Sequence, residues 1–97
     1  MKTFVMLGKY SPEALKKASA ERTDRVVRLV KKYGGSVERI YGLLGEYDLI
    51  LILEFPSSGQ ALETSVALNR LTGIAFTTLP AVDVKEFDEM LKRAMEE

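Results

Sequence analysis

The amino-acid sequence predicts an α+β fold in which helices pack on a four-stranded antiparallel sheet. Three observations lead to this expectation: four short runs rich in apolar and β-branched residues, helical segments after the first and third runs, and glycine or proline at the breaks between segments. The chain has 97 residues, of which 46% are apolar and 29% charged, as is typical of a single globular domain. We therefore expect one domain over residues 1–97.

The first half of the chain contains one strand and a divided helix. The strand is predicted over Thr3–Lys9, and Ser11 followed by Pro12 is typical of a helix start. A second capping residue, Ser19, indicates a short first turn followed by a longer helix. Gly34-Gly35 ends that helix.

The remaining elements are two strands, a helix, a strand and a last helix. Asp83 and Glu86 fit a capping box at the start of the last helix, which carries an apolar stripe. The two strands, the helix and the final strand are expected at Ser36–Leu44, Asp48–Phe55, Gln60–Thr72 and Ile74–Val82, and the stripe consists of Phe87, Met90, Leu91 and Ala94.

The order β-α-β-β-α-β, followed by a C-terminal helix, is the ferredoxin-like pattern. In it the first and third strands are central, and here both are apolar without alternation, whereas the second and fourth carry polar residues. Two main helices cover only one face of such a sheet. Because a large apolar face is rarely left in water, we expect a second copy of the chain to cover the other face. The sequence therefore predicts a homo-oligomer.

Composition excludes several classes of function. Lysine plus arginine and aspartate plus glutamate both number 14, so the net charge is zero and a nucleic-acid partner is not expected. The chain has no cysteine and no histidine, which excludes thiol nucleophiles, disulfides, Cys/His zinc sites and Ser-His-Asp triads. We expect no metal site and no cofactor. No apolar run suits a signal peptide or a membrane span, so a cytoplasmic protein without a membrane partner is expected.

The stretch Gly45–Asp48 is the most informative candidate site. As a hairpin connection, Gly45 supplies a positive φ angle, Asp48 tolerates turn geometry, and Tyr47 packs its ring with a wet hydroxyl group. As a binding site, the carboxylates of Glu46 and Asp48 and the phenol of Tyr47 contact an amine or polarise a small molecule. The residue types alone favour the hairpin connection.

Arg22, Lys9 and Tyr10 are the other candidate residues. Arg22 lies on the buried side of its predicted helix, where a half-buried guanidinium needs a partner. A ligand carboxylate fits this role, and so do the internal carboxylates of Glu46 and Asp48. Lys9 and Tyr10 end the first strand. A lysine there is a candidate base or Schiff-base amine, although lysines at strand ends are more often solvated.

Several segments in a fixed order resemble the GYD domain family. The family is named for a Gly-x-Tyr-Asp stretch, here Gly45, Tyr47 and Asp48, and the resemblance covers essentially the whole chain. It implies a small stand-alone protein of undefined function that forms a dimeric α/β barrel, in which two ferredoxin-like sheets face each other. The segments are residues 4–15, 19–22, 34–35, 44–48, 71–73 and 78–81.

Residues 45–84 are also similar to the effector-binding domain of leucine-responsive regulators of the Lrp/AsnC type. There, too, a Gly-x-Tyr-Asp hairpin precedes an apolar strand, a helix and a Thr-rich strand. The resemblance implies amino-acid binding between subunits. The segment before the hairpin is a strand and a helix rather than a helix-turn-helix, which implies an effector or interaction module without its own DNA reader.

These observations predict a homo-oligomeric module that binds a small metabolite. In it Arg22 binds a carboxylate of the ligand, and Gly45–Asp48 supply polar contacts. One alternative is a cofactor-free monooxygenase or isomerase of the dimeric α/β-barrel type, using Lys9, Tyr10, Tyr47 and Asp48. It requires a closed apolar cavity containing a perturbed carboxylate or lysine. The other alternative is a structural or interaction subunit, with the polar stretch satisfied internally and no pocket nearby.

Overall fold

The structure is a computed structural model, and it describes residues 1–96. Two serines cap separate helices as the sequence predicts: Ser11 accepts a hydrogen bond from the amide of Ala14, and Ser19 accepts one from Arg22. The elements are β1 (Lys2–Lys9), α1 (Pro12–Lys16), α2 (Ala20–Lys32), β2 (Ser36–Gly42), β3 (Leu49–Phe55), α3 (Ser58–Thr72), β4 (Ala75–Ala81) and α4 (Val84–Met95).

The four strands form one antiparallel sheet in the order β2-β3-β1-β4. The predicted ferredoxin-like fold is thereby confirmed, with β1 and β3 at the centre and β2 and β4 at the edges. The register of the three strands is given by Val5, which lies opposite Ile52 on β3 and opposite Leu79 on β4. Strand β2 ends at Gly42, two residues before the predicted end, so Leu43 and Leu44 belong to an exposed loop.

One face of the sheet, the helix-covered face, carries the hydrophobic core. Helix α2 packs on α3 and β2, and α3 packs on β1, β3 and β4. The core side chains on the strands are fully buried or nearly so, and Phe4 and Phe55 meet edge to face with ring centroids 6.0 Å apart. The main core residues are Phe4, Met6, Val26, Val30, Leu51, Leu53, Phe55, Ala61 and Leu68.

A β-bulge in β2 changes which residues share a face. Strict alternation predicts that Val37, Arg39 and Tyr41 lie on the same side of the sheet. The register shifts between Val37 and Arg39, so Val37 lies opposite Leu53 on the helix-covered face. Arg39 and Tyr41 lie on the opposite face. The extra residue, Glu38, is exposed, and a single inserted residue of this kind leaves no trace in the apolar pattern.

The opposite face of the sheet, the open face, is apolar and has no cover within the described chain. Its central side chains are only half-buried, although they are as apolar as those of the core. Leu79 and Tyr41 at its edges are exposed to 43% and 53%. The central residues of the open face are Val5, Leu7, Ile50 and Ile52.

Helix α4 begins as predicted, because the side chain of Asp83 accepts a hydrogen bond from the amide of Glu86 at 3.0 Å. Its apolar stripe does not pack on the rest of the described chain within one copy. No residue of α4 is buried, and Phe87 and Leu91 are exposed to 49% and 46%. The described chain measures 51 by 30 by 18 Å, with a radius of gyration of 14.9 Å, against about 13 Å for a compact domain of this length.

Candidate functional site

Asp48 forms hydrogen bonds that connect the ends of β1 and β2 with the start of β3. Its carboxylate Oδ2 accepts a hydrogen bond from the backbone amide of Tyr10 at 2.8 Å. Its own amide donates to the carbonyl of Gly8, and its carbonyl accepts from the amide of Leu43, both at 2.9 Å. Asp48 therefore joins the end of β1 to the loop between β2 and β3, which is the role expected of a hairpin residue.

The other residues of the Gly45–Asp48 stretch face solvent to different degrees. Gly45 has φ +152°, and a Cβ atom there would meet nothing within 4 Å, so backbone conformation rather than space favours glycine. The side chain of Glu46 is exposed and that of Tyr47 is half-buried. Within residues 1–96 neither side chain forms a hydrogen bond. The stretch is thus anchored at Asp48 and open to solvent at Glu46.

Arg22 lies in the first turn of α2, over the end of β1. The carbon centre of its guanidinium is 5.4 Å from the centroid of the Tyr10 ring, within the range of a cation–π contact. Its Nη1 donates a hydrogen bond to the carbonyl of Ala14 in α1. Within residues 1–96 it forms no ion pair with Glu46 or Asp48. Since a guanidinium has five N–H donors, most of its hydrogen-bonding capacity is not used by these contacts.

A small apolar cleft lies beside Arg22, between α2 and the sheet. It has a volume of about 40 Å³, and its polar rim is formed by Tyr10, Arg22 and Thr23. A space of this size holds a few water molecules or a short chemical group. The apolar walls of the cleft are formed by Val26, Ile40, Leu49, Leu51 and Ile74.

A second depression, the basic depression, adjoins Arg22 at the start of α2. It has a volume of about 140 Å³, and its charged residues are Lys17, Arg22, Arg25 and Glu21. Glu21 binds Arg25, with an N–O distance of 2.7 Å. The basic depression therefore has a positive balance, which the partial positive charge of the α2 N-terminus increases. From the sequence, Lys17 is interpreted as a solvated helix residue and Arg25 as the i,i+4 partner of Glu21, so neither is predicted as a site residue. The signal that could have found Lys17 is the helix break that brings it next to α2.

The structure brings three of the six predicted site residues together, namely Tyr10, Arg22 and Asp48. Lys9 is exposed and pairs with Ala75, so it lies on the open face, away from Arg22. The apolar cleft is lined by no carboxylate and no lysine. The arrangement can therefore hold an anion or a polar group, and Tyr10 is the side chain lining the cleft that could exchange a proton with it.

A larger depression lies on the outer side of the helices, and it shares Leu71 with the basic depression. A shallow groove of about 640 Å³, the outer groove, runs between α2 and α3 on the side away from the sheet. Its walls include Leu29, Leu62, Val66 and Leu71. The groove was not expected from the sequence, because Leu62 and Val66 fit a helix stripe of ordinary core residues.

Two further features of residues 1–96 concern metal ions and membranes. That part of the chain has no group of three or more carboxylates that could hold a metal ion. None of its helices combines the length and the apolar character that crossing a bilayer requires.

Comparison with known proteins bears on this geometry. A solved structure with the same fold is the crystal structure of the leucine response regulatory protein LrpA of Mycobacterium tuberculosis, with a TM-score of 0.61 and 8% sequence identity. The match covers 84% of this chain and 51% of that chain, so this chain spans about half the length of its neighbour. The similarity agrees with the partial resemblance to the Lrp/AsnC effector-binding domain and is one of fold.

The comparison with curated proteins found no match. The model of the GYD domain matches residues 4–91, a range that contains all six predicted site residues. The chain therefore belongs to the GYD domain family.

Proposed function

We propose that this protein is a homo-oligomeric module that binds a small carboxylate-bearing metabolite at the basic depression around Arg22. The observation that carries the proposal is the state of Arg22: a half-buried guanidinium, fixed by the carbonyl of Ala14 and the ring of Tyr10, with no carboxylate partner among residues 1–96. A fixed guanidinium is well suited to a carboxylate, because its fork of donors matches the two oxygens.

The two depressions beside Arg22 suggest how such a ligand is oriented. Its carboxylate contacts Arg22 and the neighbouring Lys17 in the basic depression. A short apolar group then lies toward the apolar cleft, whose volume of about 40 Å³ admits only part of a ligand. The rest of the ligand stays outside the cleft, which is consistent with a site completed at a subunit boundary.

The open face of the sheet supports the homo-oligomeric part of the proposal. Val5, Leu7, Ile50 and Ile52 form a continuous apolar surface with Leu79 at its edge. Contiguous apolar patches larger than a few hundred Å² usually mark an interface. A second copy that presents the same surface around a two-fold axis covers it, because an isologous interface needs only one self-complementary patch.

A binding role fits the site better than the two alternatives. The enzyme alternative requires a closed apolar cavity containing a carboxylate or lysine, and the cleft beside Arg22 has neither lining it. The alternative of a structural subunit is favoured by one observation, because Asp48 is satisfied by the amide of Tyr10. The basic depression around Arg22, in contrast, favours the binding of an anionic ligand.

The first experiment is native mass spectrometry of the purified protein, followed by denaturation of the same sample. We expect an oligomer that carries a small acidic molecule, which denaturation releases for identification. A retained molecule without an acid group contradicts the proposal. An oligomer that retains nothing leads to titration calorimetry with L-leucine, since a leucine response regulator shares this fold, and with a panel of other small carboxylic acids. Failure of the whole panel to bind at millimolar concentration favours the structural subunit.

The anchoring role of Arg22 is tested with a matched pair of variants. Arg22→Gln removes the guanidinium, and we expect affinity for the ligand to fall roughly 10–100-fold, because hydrogen bonds to charged groups contribute about 1.5–3 kcal/mol. Lys31→Gln removes a positive charge from another exposed position of α2, outside the basic depression and its neighbouring surfaces, and is expected to leave affinity unchanged. An amide analogue of the ligand provides the chemical control. Equal binding of the acid and its amide contradicts carboxylate recognition.

A further inference from the structure

Helix α4 is a helix without a partner inside its own copy. It has 12 residues, none of them buried. At 100° per residue, its apolar side chains lie on one side and Glu89 lies on the opposite side. An isolated helix of about 12 residues is only marginally stable in water, so a lasting helical state needs tertiary packing. The apolar stripe consists of Val84, Phe87, Met90, Leu91, Ala94 and Met95.

The outer groove offers a surface of matching shape on the same chain. Two antiparallel ridges, α2 and α3, border an apolar floor that nothing in the described chain occupies. Leu62 and Val66 are exposed to 59% and 63%, which is high for neighbouring apolar residues on one helix. The stretch from Leu62 to Leu71 on α3 is about 14 Å long, and the stripe from Val84 to Met95 is about 17 Å long, so the two match in length.

The outer groove itself is lined by one acidic and one basic residue, Glu63 and Arg70, and the charges that match the stripe of α4 lie beside it. A basic rim formed by Arg28 and Lys32 lies one and two turns along α2 from Arg25 and adjoins Leu29 and Leu71. Neither Arg28 nor Lys32 forms an ion pair within residues 1–96. The stripe of α4 is flanked by Glu86 on one side and by Asp88 on the other. A helix with this flanking pattern brings an acidic residue to the basic rim when its stripe enters the outer groove.

We propose that α4 of one copy docks into the outer groove of a second copy, and that the second copy returns its own α4 in the same way. This reciprocal exchange is a closed two-fold arrangement and needs no other protein. It is a contact separate from the one between open faces, and it does not depend on ligand binding at Arg22.

The open face is small, so a second contact would contribute substantially to an assembly of this chain. With strands of seven or eight residues, the open face measures about 24 by 19 Å, or roughly 450 Å² in projection. A stable interface of standard size buries about 800 Å² on each partner. The projected area is a lower bound on the accessible surface that contact between open faces buries, because side chains protrude from the sheet, and the exchanged α4 adds further apolar contact to the assembly.

The polar side of α4 disfavours a membrane surface as the occupant. Helices that bind anionic bilayers have a polar side rich in lysine and arginine. In α4 three basic residues, Lys85, Lys92 and Arg93, are balanced by three acidic residues, Glu86, Asp88 and Glu89, so no basic surplus exists. Such a mixed polar side suits a protein surface of mixed charge.

The test measures molar mass by light scattering for four forms of the full-length chain. The arm variant carries Phe87→Glu and Leu91→Glu, and the groove variant carries Leu62→Glu and Val66→Glu. The control is Glu89→Gln, on the side of α4 opposite the stripe. All these positions are exposed, and circular dichroism checks that each variant retains its sheet and helices. We expect the wild type and the control to share one mass, and the arm and groove variants each to be smaller.

A mixture of the arm variant with the groove variant gives the decisive result. One of the two reciprocal contacts is then intact, so we expect a mixed complex larger than either variant alone. An arm variant with the wild-type mass overturns the proposal. A groove variant with the wild-type mass, or a mixture that forms no larger species, overturns the groove as the receptor. A wild type that stays monomeric at all concentrations overturns the exchange altogether.

Discussion

The two faces of the sheet have nearly the same composition but a different environment. On β3, Leu51 and Leu53 point to the helix-covered face and are fully buried, whereas Ile50 and Ile52 point to the open face and are half-buried. All four are aliphatic and lie within four consecutive positions. The comparison teaches that an apolar strand face predicts burial of that face. Whether helices of the same chain or a second copy bury it depends on which elements the rest of the chain supplies.

The largest difference between the faces is expected in the stability of the fold. Leu53→Ala opens a cavity in the core and is expected to lower the free energy of unfolding by about 2–5 kcal/mol. Ile52→Ala, on the neighbouring position of the same strand, is expected to cost much less in dilute samples, because its side chain already contacts water. Urea denaturation of both variants at low protein concentration measures the difference.

The same pair of variants also tests what covers the open face. At high protein concentration the cost of Ile52→Ala is expected to rise, since a second copy then buries the side chain and its loss weakens association. Equal losses for both variants at low concentration would show that Ile52 is as buried as Leu53. A cost of Ile52→Ala that does not depend on concentration would count against a second copy on the open face.

A second prediction uses a charge at the edge of the open face. Leu79→Glu is expected to raise the dissociation constant between copies by at least about 100-fold, because burying an unpaired carboxylate costs several kcal/mol. The fold itself is expected to remain, since Leu79 is exposed to 43% within one copy. The same substitution at Leu15, exposed on α1, is the control. If sedimentation velocity finds the same dissociation constant for Leu79→Glu and the wild type, a second copy does not cover the open face at Leu79.

The sequence predicts most of the fold because the relevant signals are local. Ser11 and Ser19 are N-cap residues that mark the starts of α1 and α2, and Asp83 marks the start of α4 in the same way. Unbroken apolar runs mark β1 and β3 as central strands, and Gly73, with φ +75°, ends α3 in the left-handed conformation that glycine favours. Each of these signals lies within a few residues of the feature that it predicts.

The features that sequence reasoning missed depend on contacts between distant segments. The bulge at Glu38 follows from pairing with β3, and the exposure of the α4 stripe follows from the lack of packing between α4 and the rest of the described chain. The surroundings of Arg22 are set by Ala14 and Tyr10, neither of which is a charged residue. A search for carboxylate partners in the sequence therefore points to Glu46 and Asp48, which the structure keeps out of ion-pair contact with Arg22.

A third prediction concerns the stability that Asp48 provides by accepting a hydrogen bond from the amide of Tyr10. Asp48→Ala leaves the amide of Tyr10 without its acceptor and is expected to lower the free energy of unfolding by about 1–2 kcal/mol. Glu46→Ala, two residues away and exposed, is expected to change it by no more than about 0.5 kcal/mol. Urea denaturation compares the two. A larger loss for Glu46→Ala would mean that the stretch is anchored at Glu46 instead of Asp48.

The smallest effect on stability is expected on the outer side of the helix layer, at the ion pair between Glu21 and Arg25. Both side chains are more than half exposed, and such i,i+4 pairs contribute about 0.3–0.5 kcal/mol, so Glu21→Gln is expected to shift the unfolding midpoint only slightly. The same change removes the one acidic side chain that lines the basic depression. We therefore expect Glu21→Gln to bind the carboxylate ligand more tightly than the wild type, and most clearly at low salt, where exposed charges are least screened. Calorimetric titrations at low and high salt measure this gain, and weaker binding by Glu21→Gln would contradict recognition of an anion in the basic depression.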